Sequence, residues 1–88
     1  MKSRRSKHFR ILLEALPPAV RQLAADTYRR WQTNLAHPGL HFRPIDPSDS
    51  DIFSIRIGMH YRAICERQPD GSYLWVWIGT HEEYNKLV

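Results

Sequence analysis

Near the start of the chain Phe9, Leu12, Leu13 and Leu16 recur at i, i+3, i+4 and i+7, with Arg10 and Glu14 off that stripe. This is the apolar face of an amphipathic helix, and the spacing predicts one over residues 6–16. Pro17 and Pro18 end it, and because proline fits a helix's first turn they also start the next. Val20, Leu23, Ala24, Thr27, Trp31 and Leu35 continue at helical spacing through about residue 34, with Arg21, Arg29 and Arg30 on the other side. So short a connection makes an antiparallel helical hairpin, whose apolar stripes need a second layer to cover them.

The remainder of the chain changes period. After the break at His37, Pro38 and Gly39, residues 40–45 alternate and read as a strand, followed by a polar loop over residues 46–51 that contains Pro47. Alternation predicts a second strand over residues 52–58, a tight turn near Met59 and His60, a third strand over 61–67, and a loop at 68–72 before a fourth over 73–79. Connections this short make consecutive strands antiparallel neighbours. Thr80 and Glu83 fit the S/T-x-x-E capping pattern, so a short helical turn should close the chain. The expected architecture is α+β, a helical hairpin packed on one face of a four-stranded antiparallel sheet.

A period of two sorts the strand residues by face. Leu40, Phe42, Phe53, Ile55, Ile57, Ala63, Cys65, Leu74, Val76 and Ile78 form one apolar set, expected to pack on the helices. The opposite set holds His41 and Arg43, Ser54 and Arg56, Arg62, Ile64 and Glu66, and Tyr73, Trp75 and Trp77. Guanidinium groups bind phosphate bidentately and flat aromatics accept stacked bases, so Arg43, Arg56, His41, Trp75 and Trp77 are candidate RNA-binding residues, and Arg62 a candidate catalytic cation. The plainer reading is a wet sheet face on which arginines shield tryptophans.

Charge adds to this picture. The net charge is +4, but residues 1–44 carry +7 and residues 45–88 carry −3, an asymmetry that points to a polyanion or an acidic partner. With 88 residues, 42% of them hydrophobic, a single domain spanning 1–88 is expected. An unbroken apolar run of about 18 residues is lacking, and the basic start at Lys2, Arg4, Arg5 and Lys7 leads into an apolar stretch too short for a signal sequence. A cytoplasmic protein with no membrane partner is expected. Cys65 is alone and reads as a buried side chain; Cys/His spacing gives no zinc site, and neither metal nor cofactor is expected.

His81 lies in the first turn of the terminal helix with Tyr84 three residues on, on the same side. RNA can be cut without a metal when a base takes the 2′-hydroxyl proton, cations stabilise the crowded phosphate and an acid protonates the leaving 5′-oxygen. Arg62, His81 and Tyr84 are the candidate catalytic set for that reaction. Taken singly, a capping histidine is more often structural, and Tyr84 reads equally well as an anchor for the terminus.

The succession Leu-Pro-Pro at 16–18, His-Pro-Gly-Leu at 37–40, Ser-Ile-Arg-Ile-Gly at 54–58, Tyr-Arg-Ala-Ile at 61–64 and Trp-Val-Trp-Ile-Gly-Thr-His-Glu-Glu-Tyr at 75–84 resembles the RelE/ParE superfamily of bacterial toxins. The resemblance spans nearly the whole chain. It implies the toxin of a type II toxin–antitoxin pair, held inactive by a bound antitoxin, and in ribonuclease members it implies cleavage of messenger RNA, commonly on the ribosome. By position, Arg43 resembles the basic residue of the first sheet strand, Arg62 the phosphate-stabilising arginine, and His81 with Tyr84 the acid/base group of the tail. Two departures stand out: many relatives begin with an edge strand where this chain reads as helix, and the sheet here has no lysine. Gyrase-poisoning members supply a second reading, with contacts on the helix face around Arg21, Arg29 and Arg30, and an inactive relative that only binds RNA or antitoxin supplies a third.

Overall fold

A computed structural model describes residues 2–88. Among them the order is β1 (Ser3–Arg5), α1 (Lys7–Glu14), α2 (Pro18–Thr33), a 3-10 turn (Pro38–Leu40), β2 (Arg43–Asp46), β3 (Asp49–Ile57), β4 (Tyr61–Arg67), β5 (Tyr73–Thr80) and α3 (His81–Leu87). The strands form one five-stranded sheet in the order β1-β5-β4-β3-β2. No helix among the described residues is long and apolar enough to cross a membrane.

The α+β class stands, but the sheet is mixed rather than a four-stranded antiparallel meander. β1 pairs parallel with β5, in the register Ser3↔Tyr73, Arg4↔Leu74 and Arg5↔Trp75. Three polar residues carry no alternation, so a strand built only from backbone bonds to its neighbour has no period to read. Ser6 then caps α1, its Oγ accepting from the Phe9 amide at 3.0 Å. The helix thus starts one residue later than its pattern predicts and ends at Glu14.

The first antiparallel strand also differs. Pro38–Leu40 tightens into a 3-10 turn, and His41 leaves it in the left-handed region, so the extended strand begins only at Arg43. The expected polar loop is a tight hairpin instead. Asp46 pairs with Asp49, and the Asp46 carboxylate accepts from the Ser48 amide at 2.9 Å and the Ser48 hydroxyl at 2.8 Å, which lets β3 start at Asp49.

The consequential correction lies in β5. Ile64 pairs with Trp77 while the next β4 residue, Cys65, pairs with Trp75, leaving Val76 as the extra residue of a β-bulge. A bulge reverses the alternation on one side of it. Tyr73 and Trp75 therefore turn into the core, at 8% and 4% exposure, whereas Leu74 moves to the other face and Val76 is only half-buried. Trp77, beyond the bulge, keeps its expected side.

The helices cover one face of the sheet. Trp31 of α2 is fully buried and packs its ring against Tyr28, Phe42, Tyr73 and Trp75 at centroid distances of 5.8, 5.9, 5.2 and 5.1 Å. Phe9, Leu40, Phe53, Ile55, Ile57, Ala63, Cys65 and Ile78 complete this core. Burial of Cys65, with Glu66 adding, pushes its thiol up to about 12, which leaves it an unreactive core side chain.

Candidate nucleic-acid interface

The face away from the helices is organised by strand register. Arg56 and Arg62 are direct cross-strand partners, so their side chains share a face, and Arg43 pairs with Ser54 on that same face one row on. Like charges placed directly opposite destabilise a sheet, by roughly 0.2–1 kcal/mol on the scale of cross-strand pairs. Among the described residues the ion pairs are Arg29–Asp26 and Arg67–Asp51, so none of the three open-face arginines has a carboxylate partner.

Arg62 is the most firmly held of them. Its Nη2 donates to the Ser54 hydroxyl at 2.8 Å, its guanidinium lies 4.9 Å from the Tyr84 ring centroid, and its Nε is buried without a hydrogen-bond partner. A flat cation held by a hydroxyl and an aromatic face is oriented before any ligand arrives. Arg56 is tied back by its Nε, which donates to the Gly58 carbonyl at 3.0 Å.

The closing helix brings in the remaining groups. Thr80 caps it as expected: the Glu83 amide donates to Thr80 Oγ1 at 3.1 Å, and the Thr80 amide donates to Glu83 Oε1 at 2.9 Å. The His81 amide donates to the His60 carbonyl at 2.7 Å, which fastens the start of α3 to the β3–β4 turn. His81 and Tyr84 lie on one side with rings 6.3 Å apart, and Tyr84 also packs on Trp77 at 6.4 Å.

An open concavity of about 600 Å³ results, lined by His41, Arg56 and Arg62 from the sheet side and by His60, Thr80 and His81 from the other. Desolvation first, and then the charges of Arg43, Arg56 and Arg62, hold the His41 imidazole below the ordinary histidine range. Chemically the hollow offers guanidiniums for an anion and three imidazoles, those of His41, His60 and His81, for proton transfer.

A family model described as the ParE-like toxin domain matches residues 18–86, from the first turn of α2 to the last of α3. The chain belongs to the ParE-like toxin family. In fold this ParE-like domain is similar to the RelB–RelE antitoxin–toxin complex from Methanococcus jannaschii, with a TM-score of 0.72 at 18% identity over 94% of this chain and 95% of that one. It is also similar to the toxin–antitoxin complex RelBE2 from Mycobacterium tuberculosis, with a TM-score of 0.71 at 16% identity over 91% and 96%. Membership and fold together make it a RelE/ParE superfamily toxin. No curated protein matches it.

Of the residues singled out in the sequence, the ParE-like domain brings His41, Arg56, Arg62 and His81 around one hollow, with Arg43 reaching His41 from β2, its Nη2 3.4 Å from the imidazole Nδ1. Tyr84 and Trp77 stand behind Arg62. Trp75 does not join them, because the bulge at Val76 sends its ring into the core beside Trp31. His60 and Thr80 enter the lining through a turn and a cap, neither of which has a face that alternation can assign.

Gly79, in the same row as Arg56 and Arg62, leaves room for this arrangement. A Cβ there would come within 2.6 Å of the Trp77 ring and 3.0 Å of Glu83 Oε1. Gly79→Ala is therefore expected to displace Trp77 and loosen Tyr84 behind Arg62, at a cost of about 1–3 kcal/mol. Urea unfolding checks the stability, and an unchanged midpoint would mean that Trp77 does not rest on this glycine.

Proposed function

We propose that this ParE-like chain is the toxin of a toxin–antitoxin pair and acts as a metal-independent endoribonuclease on messenger RNA, linked to translation, with an antitoxin as its protein partner. The observation that carries this reading is the Arg56–Arg62 pair, which faces an imidazole-bearing hollow and, among the described residues, forms no ion pair with a carboxylate. The antitoxin rests on likeness to two toxins whose structures are complexes with antitoxin.

In this reading Arg62 and Arg56 bind the scissile phosphate and Arg43 an adjacent one. A base removes the 2′-hydroxyl proton, the 2′-oxygen forms a bond to phosphorus, the bond to the 5′-oxygen breaks, and an acid protonates that oxygen. The products are a 2′,3′-cyclic phosphate and a 5′-hydroxyl. His81 is the proton-transfer group. Tyr84, packed against both His81 and Arg62, holds the two in position, and Trp77 offers a partly exposed ring for a base.

The gyrase-directed reading is less well supported. It places contacts at Arg21, Arg29 and Arg30, yet Arg21 donates to the carbonyls of Glu14 and Leu16, and Arg29 pairs with Asp26, so two of the three are engaged within the helical hairpin. Expression in bacteria separates the readings. Wild-type chain is expected to arrest growth, and His81→Ala to relieve the arrest at equal protein level; arrest that persists in His81→Ala would favour a protein target.

A further inference from the structure

Among the described residues His41 is the one non-glycine with a positive φ, at φ 48° and ψ 44°. Side chains disfavour that left-handed region, and glycine would make the same turn without the cost. The conformation is imposed from both sides. Leu40 before it is fully buried, and Phe42 after it stacks on Phe53 with ring centroids 4.7 Å apart. A strained backbone held by its neighbours so as to present an imidazole is the kind of feature that marks a working position.

The ring stands among cations from three strands. Arg43 Nη2 approaches His41 Nδ1 at 3.4 Å, and because a guanidinium has no acceptor, this contact requires an unprotonated Nδ1. Arg56 and Arg62 line the same hollow, with His60, His81 and Glu82 on the side of α3 and the β3–β4 turn. The lowered proton affinity of His41, from desolvation and those three arginines, agrees with the contact.

We propose that His41 is a phosphate ligand of this hollow that takes up a proton as an anionic phosphate enters, alongside Arg56 and Arg62. The identity of the phosphate as RNA rests on the endoribonuclease reading, whereas the coupling of anion to proton stands on the site alone. An anion among the guanidiniums cancels the repulsion that keeps the ring neutral and gives its N–H groups an acceptor. The midpoint of His41 is then higher in the complex than in the free chain. The added affinity is complete below the free-chain midpoint and is lost as pH rises through that of the complex. Each unit by which the phosphate raises the midpoint strengthens binding about tenfold.

The test uses the full chain and the NMR titration of the His41 ring, in sulfate, which stays a dianion over the range, against chloride at matched ionic strength. Sulfate is expected to raise the midpoint. Affinity for a single-stranded 2′-deoxy oligonucleotide, which cannot be cut, is expected to grow as pH falls through the midpoint of His41 in the complex. His41→Asn, which tolerates left-handed backbone, should melt with the wild type and lose that pH dependence. Equal midpoints in the two salts, or a His41→Asn chain with the wild-type pH dependence, would overturn the proposal. Cut RNA with an unresponsive His41 removes this inference and leaves the nuclease reading; intact RNA with a responsive His41 does the reverse.

Discussion

Replacing Arg62 with alanine should lower the rate constant for RNA cleavage by about 10²–10³, the loss seen when one preorganised donor to a developing charge is removed. Arg62 is the open-face cation whose orientation is fixed before substrate arrives, by the Ser54 hydroxyl at 2.8 Å and by the Tyr84 ring at 4.9 Å. Lysine at this position should rescue little. Its compact ammonium lacks the planar fork that binds two phosphate oxygens and lies flat on an aromatic ring. Loss of the buried bond to Ser54 costs about 1–3 kcal/mol, so the variant should still fold, and circular dichroism at the assay temperature checks that it does. Single-turnover cleavage by Arg62→Ala within a few-fold of wild type would remove Arg62 from the reaction.

The second large effect separates two tryptophans that lie two residues apart. Trp75 is 4% exposed, with its ring 5.1 Å from Trp31, 6.2 Å from Phe9 and 6.5 Å from Tyr28. Trp75→Ala should cost about 3–5 kcal/mol, a large share of the roughly 5–15 kcal/mol that holds a small domain folded. Trp77 is half-buried on the other face, against Tyr84. Trp77→Ala should unfold at a urea concentration much nearer that of wild type, while losing about 1–3 kcal/mol of affinity for a single-stranded oligonucleotide if a base stacks there. If Trp75→Ala instead folded normally and bound RNA poorly, the bulge at Val76 would be misplaced.

That contrast also shows how far the chain could be read from its residues. The helices announced themselves through Phe9, Leu12 and Leu13 and through Val20, Thr27 and Trp31, because burial of one face imposes a 3.6-residue period whatever covers it. Arg56 and Arg62 were placed on one face correctly because β3 and β4 pair without interruption. Trp75 and Tyr73 were placed on the wrong one because a bulge is a property of two strands together, and β5 alone, Tyr-Leu-Trp-Val-Trp-Ile, alternates with no mark of the extra residue. β1 escaped because Ser-Arg-Arg has no apolar side chain; only its backbone bonds to β5 make it a strand. The hollow itself was half legible. His81 followed from the capping box, but the approach of His41 depends on a left-handed turn that puts histidine where glycine or asparagine would be the usual choice.

The opposed arginines have an energetic meaning of their own. Arg56 faces Arg62 across β3 and β4 with no carboxylate paired to either, which weakens the sheet where a Thr or Glu would strengthen it. In the proposed function, an anion bound between these cations offsets that repulsion. The Ser54 bond, the Tyr84 face and the Gly58 carbonyl keep these cations from turning away into solvent.

The central claim is that this face cuts RNA, and the most direct measurement is to incubate purified chain with messenger RNA, with and without ribosomes, and to map the new ends. The account predicts discrete cuts that leave 2′,3′-cyclic phosphate and 5′-hydroxyl ends, persist in a metal chelator and disappear in Arg62→Ala and His81→Ala. RNA left whole by a folded wild-type chain, both free and on the ribosome, would contradict it.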